Sequence, residues 1–149
     1  MSKHDDADLI LKLYDLRREA TMREARNWFF SFNPKSVEDV FATLFGDKSG
    51  FFRMVISYWD MAASLVNNGA IDSQMFNDAN GEHIFVYVKI EPFLPALREQ
   101  FKNPEFLSHL ERIVKDLPNS EERLAVVRER VASIAEAFEK RAAAQAAAN

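Results

Sequence analysis

Residues 51–68, FFRMVISYWDMAASLVNN, keep their polar positions on one line. Arg53, Ser57, Asp60, Ser64 and Asn67 recur at intervals of four, three, four and three, with Asn68 beside the last. On a helix turning about 100° per residue they form a stripe about 100° wide. Everything outside the stripe is apolar, including Phe52, Ile56, Tyr58, Trp59 and Val66. Such a helix needs cover on most sides, from other helices of its own chain or from a second copy.

The flanking sequence keeps the helical period. Leu9, Leu13, Leu16 and Ala20 open a first helix that Asp5 or Asp6 can cap. Its apolar stripe then shifts to Ala25, Trp28, Phe29 and Phe32, with Glu19 and Arg23 as an outer i,i+4 pair, until Asn33-Pro34 stops it. Val37, Val40, Phe41 and Leu44 give a short second helix, closed by Gly46. After the 51–68 helix, Gly69 suits the left-handed position that ends a helix. Asp72 or Ser73 caps the next element, which Asn80-Gly81 breaks.

The run IFVYVKI at 84–90 has a strand-like composition, but no second run exists to pair with it, so 82–91 reads as a buried helix. Leu94–Phe101 continues as helix past Pro92 and Pro95. Asn103-Pro104 reads as a cap with proline at the first helical position, ahead of an apolar face of Phe106, Leu107, Leu110, Ile113, Val114 and Leu117. From Ser120 onward, Leu124, Val127, Val131, Ile134 and Phe138 recur at three, four, three and four, a coiled-coil-like seam. The expectation is an all-α, single-domain bundle of about six or seven helices over 1–149 with a long C-terminal helix. Residues 1–4 and 142–149 are expected to fray.

Composition narrows the function classes. A net charge of −4 argues against nucleic acid as the main partner. Without cysteine there is no disulfide, thiolate metal site or cysteine nucleophile. No stretch reaches the about 18 uninterrupted apolar residues of a membrane span, and the polar, acidic start MSKHDDADL has no apolar signal core. A cytoplasmic protein is the expected case.

The candidate chemistry is sparse. No Glu-x-x-His pair, glycine-rich phosphate loop or Gly-x-Ser-x-Gly is present, so no metal, cofactor or catalytic residue is expected. Glu105, His109, Arg112 and Asp116 read as one solvated face, and His83 at a helix start has no visible partner ligands. Arg17, Arg18, Arg23 and Arg26 lie close to aromatics that could stack bases, but Asp15, Glu19 and Glu24 interleave and cancel the field. Ten of the eighteen aromatic residues fall between Trp28 and Trp59, which suits a bulky core, a self-association surface or a ligand pocket. Asp60 lies at the centre of the polar stripe, solvated or paired with an arginine such as Arg98.

The run YWDMAASLVNNGAID at 58–72, with IEPFLPALR at 90–98, resembles an uncharacterised bacterial family of small helical domains of unknown function over about residues 5–117. Many members of that family carry an N-terminal membrane segment, which these 149 residues do not show. The resemblance implies an all-α fold and a structural role for Asp60 and Arg98, and supplies no activity.

Three readings follow. The first is a non-catalytic interaction or regulatory module that self-associates through apolar helix faces. The second is a small-ligand binder or cryptic enzyme with an aromatic pocket, Trp28 and Trp59 as walls and Asp60 as its polar group. The third, weaker reading is nucleic-acid binding through the first-helix arginines.

Overall fold

The computed structural model describes residues 2–149. Among them every regular element is a helix. In order these are α1 (Lys3–Arg17), α2 (Ala20–Ser31), α3 (Val37–Leu44), α4 (Ser49–Asn67), α5 (Ser73–Ala79), α6 (Glu82–Ile90), a 3-10 turn (Glu91–Phe93), α7 (Leu94–Gln100), α8 (Ser108–Lys115) and α9 (Ser120–Ala148). None is long and apolar enough to cross a membrane.

The polar stripe sets how α4 is seated. Phe52, Val55, Ile56, Trp59, Ala62, Ala63 and Val66 are buried, and the helix packs against α2 and α8, with α3 and α5 at its ends. Its apolar flanks are therefore covered by helices of the same chain. Gly69 follows at φ +81°, in the left-handed region that glycine enters freely.

Two boundaries differ from the sequence expectation. The first helix is broken at Arg18, and Glu19 restarts the chain as the cap of α2, accepting from the Met22 N–H at 3.0 Å. Backbone hydrogen bonds from Thr21 and Met22 hold the Glu19 carboxyl below its ordinary range. Glu19 thus serves the helix end and makes no ion pair with Arg23, whose guanidinium donates to the Arg18 carbonyl. Ser2, rather than Asp5 or Asp6, caps α1, and Asp5 answers it in a reciprocal capping box. The second difference lies at 101–107. Asn103-Pro104 starts no helix; the chain passes through turns, and Leu107 takes a left-handed φ of 58° before α8 begins.

Asp72 caps α5, accepting from the Met75 N–H at 2.9 Å. The 84–90 run is helical, and seven of the nine residues of α6 are buried. Its strand-like composition reflects burial on nearly all sides.

Among the buried residues of α6 is Lys89, only 4% exposed. Its ammonium donates to the carbonyls of Phe29, Phe30 and Phe32 at 2.8, 2.9 and 2.7 Å. These carbonyls close the C-terminal end of α2, where orphan acceptors and the negative pole of the helix coincide. Burial lowers the ammonium from 10.5 to about 8, so it is charged at neutral pH. One lysine thereby ties α2 to α6 across 57–60 residues of chain. Lys89→Met removes the lysine from three carbonyls, of which only that of Phe29 keeps a backbone donor, the Phe32 N–H at 3.1 Å, and should lower unfolding free energy by about 3 kcal/mol. Urea denaturation of the two proteins measures the loss.

Candidate functional site

The polar stripe of α4 faces residues 101–109, which are irregular up to Leu107 and then enter α8, and a groove of about 670 Å³ lies between them. Ile56, Met61, Phe101, Phe106 and Leu107 give it apolar walls, and Arg53, Asp60, Glu105 and His109 contribute its polar groups. Met61 and Phe101 are each 40% exposed, and Phe45, beside the groove residue Leu44, is 72% exposed.

The groove's shape depends on how 101–109 is held. Leu107 offers α8 no side-chain cap. The cap comes from α4, because Asp60 Oδ1 accepts from the Leu110 N–H at 3.0 Å. A carboxylate there also meets the positive end of α8. Two turns further along the stripe, the Asn67 side chain donates to the His109 carbonyl at 3.2 Å and lies 3.1 Å from His109 Nδ1.

From the other side, Arg98 Nε donates to the Phe106 carbonyl at 2.9 Å, and its guanidinium pairs with Glu111 at 3.2 Å. Burial raises the Glu111 carboxyl, but Arg98, Lys115 and the Tyr87 hydroxyl outweigh it and hold the group below its ordinary value. Asp60 and Arg98 do not meet; each braces a different end of the same segment.

The two tryptophans lie elsewhere. Trp59 is 1% exposed and sits among Tyr58, Phe76 and His83, with ring centroids at 4.9, 6.5 and 5.7 Å. Trp28 stacks on Phe32 at 4.9 Å and packs against the core. The aromatic cluster is thus filled, and the groove's rings come from Phe101 and Phe106 instead. Three of the four arginines are engaged: Arg17 donates to Asn80, Arg23 to the Arg18 carbonyl, and Arg26 pairs with Glu82 at 2.9 Å.

His109 is half-buried, so the solvated face read for it does not hold. His109 lies at the edge of the α8 face that buries Leu110, Ile113 and Val114, where Asn67 of α4 reaches its carbonyl. No sequence signal marks a leucine for positive φ. Among the described residues no group of three His, Asp or Glu could hold a metal ion.

His83 is fully buried, with Nε2 3.0 Å from Asn77 Oδ1. Its Nδ1 and the indole N–H of Trp59 make no hydrogen bond. Burial, then the charges of Arg123 and Arg17, push the imidazole from 6.5 down to about 4.

Two predictions follow from this geometry. Asp60→Ala removes the cap of α8 and should cost about 1–2 kcal/mol in urea denaturation. It should also speed amide exchange at Leu110. For His83, the unfolded chain holds more protons than the folded chain between pH 6.5 and about 4. Stability present above pH 6.5 is therefore lost as pH falls through that window, by about 3 kcal/mol in total. Denaturation midpoints should fall across it, with a shallower slope in His83→Gln.

No curated protein and no solved structure matches this chain. One family does: residues 3–117, from the start of α1 through α8 and the turn after it, match the domain of unknown function DUF4760, and the chain belongs to that family.

Proposed function

We propose that this chain is a non-catalytic helical interaction module that self-associates through the groove between α4 and 101–109. The observation that carries the reading is the pair of unmatched charges in that groove. Arg53 bonds only to the Ser49 hydroxyl, at 3.2 Å, and Glu105 makes no side-chain hydrogen bond among the described residues. Neither forms an ion pair there. A surface that meets its own copy across a two-fold axis must be self-complementary. One free cation and one free anion on the same groove satisfy that, since each copy's Arg53 can meet the other's Glu105. Met61 and Phe101 supply exposed apolar anchors at the same place.

The engaged charges support the non-catalytic part. Asp60, Arg98, Lys89 and Glu19 each bond to a backbone group that needs them. A small ligand in the groove is the second reading, favoured by a volume within the about 300–1,000 Å³ usual for such sites.

Sedimentation equilibrium tests the first reading by charge exchange. The native chain should dimerise at tens of micromolar. Arg53→Glu and Glu105→Arg should each weaken the dimer about tenfold, ~1.4 kcal/mol, and the double reversal should restore it. A strict monomer at those concentrations, or a dimer indifferent to both single reversals, overturns it.

A further inference from the structure

α9 is the α-helix with the smallest share of its residues buried: of 29, only Leu124 is buried. It lies along α6, touches α8 near its own start, and reaches the C-terminal end of α2 through Phe138, so the trough it covers runs between α6 and the end of α2. The Phe138 ring meets the Phe30 ring edge-on at 5.9 Å, and Phe30 stacks on Phe85 at 5.5 Å. Val127 and Val131 rest half-buried on the core. The polar ties are two exposed ion pairs, Arg128–Glu91 at 2.9 Å and Lys35–Glu139 at 2.6 Å, a kind that holds weakly.

The fit leaves space on both flanks. A cavity of about 480 Å³ separates α9 from parts of α2 and α6, and one of about 250 Å³ separates it from Pro34 and Pro92. Residues 139–148 are exposed throughout. Only Pro118 and Asn119 join α9 to the last residue of the preceding turn, Leu117, and Asn119 has a left-handed φ of 54°. The family match ends at 117, so the trough belongs to the shared domain and its cover lies outside the match.

We propose that the trough between α2 and α6 is a helix-binding groove, covered here by the chain's own α9, and that α9 of a second copy can take its place. The second copy is the fitting occupant because it brings the same seam of Leu124, Val127, Val131, Ile134 and Phe138. It also brings Arg128 and Glu139 to the same partners, Glu91 and Lys35. Exchange leaves every contact in the trough unchanged and alters only the 118–119 hinge. This surface is separate from the α4 groove and stands independently of it.

A chain without cysteine makes the test direct. Copies carrying Lys35→Cys are mixed with copies carrying Glu139→Cys, incubated, and treated with a short bis-maleimide. The expected product is a covalent pair of twice the mass that accumulates with time, while a chain carrying both substitutions closes on itself. The pair should persist when Arg53→Glu is added to both copies, and vanish when Phe138→Ser is added to the Glu139→Cys copy. A band lost with Arg53→Glu, or unmoved by Phe138→Ser, overturns the proposal, as does its absence when the double variant closes. Independently, a labelled peptide of residues 119–141 should bind the intact chain saturably, at least tenfold more weakly with Phe138→Ser. Failure of the native peptide to bind up to millimolar concentration also overturns it.

Discussion

Covering α4 is the constraint on which the remaining helices depend. Phe52, Val55, Ile56, Trp59 and Val66 alone represent on the order of 10 kcal/mol of apolar burial. No single neighbour can shield so broad a surface. α2 takes one flank and α8 another, Asp60 and Asn67 of the stripe bond to α8, and the end of the stripe at Arg53 and Ser57 remains exposed. The position of the groove follows directly, because the one side of α4 that tolerates water is where the irregular stretch before α8, ending at Leu107, crosses.

The helices that cover α4 are locked by charges used as helix ends. Lys89 puts a cation at the C-terminal end of α2, and Asp60 puts an anion at the N-terminal end of α8. Both signs agree with the helix dipoles they meet. Asp60 satisfies an N–H of α8 that its left-handed leucine start cannot cap, and Lys89 serves the Phe30 and Phe32 carbonyls while sharing that of Phe29 with the Phe32 N–H. The groups that would be prime suspects for chemistry, a buried lysine and an aspartate beside tryptophan, are therefore parts of the frame. His83 differs, being neutral, buried and short of one partner, and it makes the core sensitive to acid.

Two surfaces are left with unfinished business. The α4 groove carries unmatched charges of both signs. The α2–α6 trough is covered by a helix that fits it with gaps on either side. Both would be satisfied by more of this same chain. Their chemistries differ: charge exchange around Met61 and Phe101 in one, and seating of an amphipathic helix in the other.

Patterns within a few turns were legible in the sequence, because helix period and capping act over three or four residues. The α4 stripe, the helical state of 84–90, a cap at Asp72 or Ser73, the left-handed Gly69 and the seam of α9 all belong to that class. The break at Arg18–Glu19 did not show, because a glutamate can serve as a cap or as half of an i,i+4 pair with the same neighbours. Nor did the left-handed Leu107, which carries no residue preference for that conformation. The partners of the buried charges lay furthest from reach. Asp60 bonds 50 residues away and Lys89 about 60. The sequence by itself determined which faces must be buried. Only the tertiary structure decided which helix buries them and which backbone end each charge completes, because those choices depend on packing that brings distant segments within hydrogen-bonding range.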